Sequence, residues 1–266
     1  LESQMPIVKE PTVTKEPTTV VEKPATPVAK ISRTQQLENI VSEAKRLAKA
    51  AIAEILELIG AKRDLKQEQT VAGGLAKQII GNLKATTEIR NALVNFITYG
   101  TPESLKLGSG ERAGVVNSFK SAFGKLPQTE TDWQDVIKIG AGRWPSQKSE
   151  IKEKSALINF EKIYQHPADR KNPKEDAAVV VMAYGLRPSV RNLNSEKSAI
   201  LSFKKIFGAQ PTTADNWDTV RAVAYSGASR QSSGQVLGVS ITKTSVSAVF
   251  SQNLGLGSNG PDVSRL

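Results

Sequence analysis

The side chains best suited to recognition chemistry stand just behind glycines. In "GRWPS", "GLRPSVR" and "GASR", Arg143, Arg187, Arg191 and Arg230 follow the glycine that closes a helical stretch, and Trp144 adjoins Arg143. A guanidinium presents a planar fork of donors that pairs bidentately with carboxylate or phosphate, and an exposed indole is a contact anchor. Two roles are open to this set. The cations satisfy the carbonyl ends of their helices and the helix dipole, or a stacked repeat lines them along one edge as a contact for a polyanion or a neighbouring subunit.

Reactive constellations do not compete with them. The one histidine, His166, lies beside Pro167 in an inter-helix loop, and the chain has no cysteine. That composition removes thiolate chemistry and His-rich zinc sites, leaves a Ser-His-Asp triad poorly supplied, and marks His166 as a surface histidine. Acidic residues are spread over mixed-charge stretches, which argues against a two-carboxylate glycosidase site. No Walker-type Gly-Lys-Ser loop occurs. Gly255, Gly257 and Gly260 fit G-x-G-x-x-G, but only six residues follow Gly260 in the sequence, so neither a βαβ unit nor its distal acidic residue can be placed. The expectation is a non-enzymatic protein with no catalytic, metal or cofactor site.

The elements that position the arginines are helices generated by one recipe. Val115, Ala156 and Ala199 open three stretches in which Phe119, Phe160 and Phe203 correspond, each followed four residues on by Phe123, Tyr164 or Phe207. That spacing puts both rings on one helix face, where they build core. A loop with Pro127, Pro167 or Pro211 follows. Trp133 and Trp217 then stand near the start of a second helix, expected one residue past an N-cap with Thr131 and Gln134, or Asp215, as the capping residues; the middle copy lacks the Trp. The second helices run to Gly142, Gly185 and Gly227, and "EIRNALVNFITYGTPESLKLGSGER" repeats that ending at Gly100 as a half copy. A period of 41 to 43 residues suits a helix pair joined by a Pro-containing loop.

Upstream, Leu37, Val41, Ala44, Ala48, Ala51, Ile55 and Leu58 alternate in steps of four and three up to Gly60, which predicts one long amphipathic helix from Thr34. A weaker helix is expected from about Val71 to Leu83, softened by Gly73 and Gly74. Residues 1–33 carry Pro6, Pro11, Pro17, Pro24 and Pro27 among Thr, Val, Lys and Glu, a composition that favours an extended stalk or linker. After Arg230 the chain turns Ser- and Gly-rich, and "VLGVSITKTSVSAVF" suggests one or two short strands. The predicted plan is mainly α, with about seven helices. A Pro/Thr-rich segment occupies 1–33, an N-terminal helical segment 34–87, helix-pair repeats 88–231, and a β or extended tether 232–266.

Formal net charge is +10, from 36 Lys and Arg against 26 Asp and Glu. It points weakly to polyanions, because the cations are interspersed with acids along the helices. No apolar run reaches the roughly 18 residues of a membrane span, so no transmembrane segment is expected.

The closing "NLGLGSNGPDVSRL" resembles the opening of a peptidoglycan-binding-like domain through Gly257, Ser258, Gly260, Asp262, Val263 and Leu266. It reads as the first turn of a domain continuing past Leu266. The helix-pair copies, with their "DW", "AYSGASR" and "AYGLRPS" endings, resemble repeats in predicted exported surface proteins of small-genome, uncultivated bacteria. These resemblances imply an extracellular, cell-wall-associated location and a cell-wall polymer as partner through the continuing domain. The resulting expectation is a structural scaffold, a surface-layer or filament subunit that assembles with further copies of itself. Alternatives are a basic helical nucleic-acid-binding module, disfavoured because no helix shows a clustered basic face, and the non-catalytic arm of a cell-wall hydrolase.

Overall fold

A computed structural model describes residues 32–230. The Pro-rich stretch, the predicted strands and the closing Gly-rich run lie outside the described residues. What is described is all helical: α1 (Arg33–Ala48), α2 (Ile52–Ile59), α3 (Leu65–Val71), a π turn (Ala72–Ala76), α4 (Lys77–Ile80), α5 (Thr87–Tyr99), a 3-10 turn (Pro102–Ser104), α6 (Ser109–Phe123), α7 (Glu130–Gly140), α8 (Glu150–Tyr164), α9 (Pro173–Tyr184), α10 (Leu193–Phe207) and α11 (Ala214–Tyr225).

The stripe from Thr34 to Gly60 is divided between two helices. Ala50 adopts φ +49°; its N–H donates to the Leu47 carbonyl at 2.9 Å, and that of Ala51 to the Arg46 carbonyl at 3.0 Å. These are the paired bonds of a Schellman turn, formed without the usual glycine. Buried Asn95 on α5 donates to the Ala50 carbonyl, so the freed carbonyl has a partner. The turn lets Ile40, Ala44 and Leu47 of α1 and Ile55 of α2 reach the same core, which apolar spacing alone does not reveal.

The weaker helix starts earlier than Val71. Asp64 caps it by accepting from the Gln67 N–H at 2.9 Å, and the chain runs through α3, the π turn and α4 to Ile80. Gly73 and Gly74 occupy the π turn, where the extra residue per turn loosens the helix.

The three predicted repeats are helix pairs, α6 with α7, α8 with α9 and α10 with α11. Phe119, Phe160 and Phe203 are buried, and their rings lie 4.8, 4.4 and 4.5 Å from those of Phe123, Tyr164 and Phe207. The N-caps of α7 and α11 are Thr129 and Thr213, closed by boxes with Asp132 and Asn216. This moves the caps two residues upstream of the predicted positions and puts both tryptophans in the second turn. Trp133 is 0% exposed while Trp217 is 40% exposed. Phe96 of α5 packs 5.5 Å from the Trp133 ring, whereas no ring stacks on Trp217 among the described residues.

Two hydrophobic clusters result. One joins α1, α2, α3, α4, α5, α6 and α7; the other joins α8, α9, α10 and α11 to Ala122 of α6. Phe123 packs against both. α6 is thus the element through which the clusters share contacts, and its residues Glu111, Gly114 and Ser118 are carried to the second pair of hairpins.

Candidate functional site

The polar groups that the fold gathers most regularly form a clasp at the start of the first helix of a hairpin. An antiparallel pair returns the end of its second helix to the beginning of its first, and a tyrosine stands there. The Tyr99 hydroxyl accepts from the Asp64 N–H at 2.7 Å and donates to Glu68 Oε1 at 2.8 Å. Tyr184 does the same with the Ser149 N–H and Glu153 at 3.0 and 2.8 Å, and Tyr225 with the Asn192 N–H and Glu196 at 3.0 and 2.6 Å.

In each case the tyrosine binds the N-cap N–H, and the glutamate lies four residues further on. An arginine completes the arrangement: Arg63 on Glu68 at 2.9 Å, Arg170 on Glu153 at 3.2 Å and Arg191 on Glu196. Burial pushes the Tyr184 and Tyr225 hydroxyls up, the latter to about 12, so both remain protonated donors. Hydrogen bonds from Arg191 and Tyr225 outweigh burial and hold Glu196 below the usual carboxylate range.

The clasp shows that residues 64–100 form a further hairpin of the same kind, so the repeated geometry begins at Asp64 upstream of Glu88. It is absent from α6 and α7. Gly108 is the N-cap of α6, the residue four on is Arg112, and Ala141 follows α7 where the other hairpins place tyrosine. Arg112 turns to the end of α5, donating to the Ile97 and Thr98 carbonyls at 2.9 and 2.7 Å and to the Leu107 carbonyl.

The predicted arginine set does not form one edge. Arg143 donates to Gln36 on α1, and Trp144 is partly buried against the second cluster. Arg191 is exposed and paired with Glu196. Arg230 donates to the Ile163 carbonyl at 2.7 Å.

Arg187 is internal, 2% exposed, and cannot serve as a surface contact. Its guanidinium reaches Glu111 at 3.1 Å, Ser118 Oγ at 3.3 Å and Asp218 at 3.7 Å, and it bonds the Gly185 carbonyl. Arg221 joins Asp218 at 2.5 Å and Glu111 at 3.7 Å. Burial, then the neighbouring Arg221 charge, lowers Arg187 to about 9, and burial raises Asp218. Each charge is affordable there only because opposite charges are placed against it. Compared with known proteins, the chain matches no family model, no curated protein and no solved structure.

Two further polar groups are consumed structurally. Asp135, fully buried, accepts from the Ser146 and Gln147 N–H groups at 2.6 and 3.0 Å and thereby fixes the loop into α8. His166 is held inward, its side chain 12% exposed. Its ring nitrogens face the Pro167 and Ser229 carbonyls at 2.9 and 3.3 Å, and the ring meets Phe160 edge-on. The two carbonyl contacts favour the charged ring and raise its pKa; it ties the end of the last hairpin to the loop after α8.

The clasp had a sequence signal that the aromatic spacing obscured. Asp64 with Glu68, Ser149 with Glu153 and Asn192 with Glu196 share one spacing, and Tyr99, Tyr184 and Tyr225 follow 33 to 35 residues after the cap. No helix of the described residues is long and apolar enough to cross a membrane, and no group of acidic or histidine side chains there is arranged to hold a metal ion.

Proposed function

We propose that the protein is a non-catalytic scaffold of the cell envelope, assembling with copies of itself through a helical-hairpin body. The observation that carries this reading is the use to which buried polar groups are put. Tyrosine, glutamate, aspartate and buried arginine recur in bonds that fasten one helix to another. Outer helices of the repeat meanwhile keep large apolar side chains in the open: Ile151 and Ile158 on α8 and Leu193 and Leu201 on α10, with Ile158 and Leu201 each 69% exposed. Both of the latter stand two residues before the core phenylalanine of their hairpin, so the last two hairpins expose an apolar residue at the same position, where α6 carries Asn117.

The envelope location rests on the resemblance of residues 253–266 and of the helix-pair endings to exported surface proteins. Negative-stain electron microscopy of the whole chain over a concentration series tests the assembly clause; ordered filaments or sheets are expected, and single particles at every concentration and ionic strength would refute it. A second reading has one observation in its favour. The exposed side of α10 carries Lys197, Lys204 and Lys205, and none of them has an ion-pair partner among the described residues. Binding of duplex DNA that falls steeply with salt would favour that nucleic-acid reading.

A further inference from the structure

Glu43 is a carboxyl in the wrong place for a merely structural acid. It lies on α1, 2% exposed, a helix that packs across α7 and also meets α2 and α5. Its Oε2 is buried and has no hydrogen-bond partner. What reaches the carboxyl is the Thr101 side chain and the backbone of Glu103; no cation stands within ion-pair distance among the described residues.

The charges around it compensate only in small part. On its own helix, Arg46 favours the ionised form but is the weakest of the influences on the carboxyl, being itself held by Ser42 and by Glu54 of α2 at 3.4 Å. Glu103 on the turn adds a like charge. On α7, Asp132 is taken up by Lys125, and Lys138 is turned toward Ser146 and Asp135; beyond α7, Arg143 binds Gln36. The charged residues of α5, Glu88 and Arg90, are exposed at its first turn. An ionised carboxylate left unpaired in such a site is strongly disfavoured.

The connection after α1 suits a movable element. After α1 ends at Ala48, the chain turns at Ala50, an alanine in the left-handed region at φ +49°, a conformation that costs a non-glycine residue energy and that any release of the turn recovers. We propose that α1 is a proton-gated latch: with Glu43 neutral it stays docked on α7 and the 102–104 turn, and ionisation of Glu43 favours its release about residues 49–51. Release uncovers Ile40, Ala44 and Leu47, which are at most 1% exposed when docked, so the closed form dominates and the gate is read as a change in opening frequency.

The direction follows from the buried carboxyl. Burial, reinforced by Glu103, raises its pKa from 4.5 to about 7. A group whose pKa is raised by docking favours the docked form at low pH, and that advantage is lost as pH rises toward the docked value. The opening constant of α1 therefore rises by up to about tenfold per pH unit between the two values and levels off above about pH 7.

Amide hydrogen exchange on the full chain, expressed as protection factors so that intrinsic pH dependence cancels, reads this directly. Between pH 5 and 7.5 the α1 amides around Ala44 and Leu47 should lose at least about tenfold protection, with α9 as the internal reference. In Glu43→Gln the profile should be flat. Glu43→Met, which fills the same volume without a polar atom, gives the same flat profile if the carboxyl is the gate. Unchanged α1 protection in the wild-type chain, or an equal loss in either variant, overturns the proposal.

Discussion

Arg187 shows how far a single side chain can depart from the role its sequence position suggests. An arginine two residues past a helix-closing glycine reads as a solvent-facing cation, yet here the guanidinium lies between Glu111 of α6 and Asp218 of α11. Glu111 stands 76 residues earlier in the chain, beyond the reach of any local pattern. Two glycines make room for the network: a Cβ at Gly114 would lie 2.7 Å from Arg187 Nη2, and one at Gly185 would press into Ser118 Oγ and come within 2.5 Å of Asp218 Oδ1. Replacing Arg187 by alanine removes the centre of the network and leaves buried carboxylates short of a partner. The expected cost is about 3–5 kcal/mol of stability, measured by urea unfolding; Arg187→Lys should recover only part of it, because an ammonium lacks the fork that serves several acceptors at once.

At the scale of the helix, stability is decided at the ends. The first helices α6 and α10 close on Gly124 and Gly208 at φ +69° and +75°, while α8 closes on Gln165 at φ +64°. Glutamine pays a steric cost there that glycine does not, so Gln165→Gly should stabilise the protein by roughly 0.5–1 kcal/mol despite the greater freedom of glycine in the unfolded chain. The same change at Gly124, made to glutamine, should destabilise by a similar amount, and paired thermal melts compare the two. The clasp is the second device. Tyr225→Phe keeps the ring but leaves the Asn192 N–H without its acceptor and Glu196 with Arg191 as its remaining donor, for an expected loss of about 1–2 kcal/mol in urea unfolding. Tyr99→Phe and Tyr184→Phe should behave alike, since the same two bonds are removed in each hairpin.

For the whole molecule, the helix-pair plan was legible because aromatic residues at i and i+4 recur with one period and must share a core face. Phe119 with Phe123, Phe160 with Tyr164 and Phe203 with Phe207 meet as that spacing requires. The first helix of the hairpin beginning at Asp64 was not legible by the same route: it lacks the aromatic pair and carries Gly73 and Gly74, so only the ending at Gly100 and the clasp tie this hairpin to its relatives. The break at Ala50 was hidden because an alanine in the left-handed region leaves no mark in an apolar stripe. The recognition arginines were readable as residues but not as a site, because the partners of Arg143, Arg187 and Arg230 come from helices distant in sequence, whereas Arg191 pairs locally with Glu196.

The central claim is that this body is a unit of assembly whose exposed apolar side chains on α8 and α10 are contact groups. Sedimentation velocity of the full chain, compared with an Ile158→Asp, Leu201→Asp double variant, tests it most directly. Two exposed substitutions of this kind should leave helical content and unfolding midpoint nearly unchanged. The account predicts that the wild-type chain sediments as species larger than its 28.7 kDa protomer, with the distribution shifting on dilution, and that the double variant collapses to the protomer. A wild-type chain sedimenting as the protomer at every concentration, or a double variant assembling as the wild type does, would contradict it.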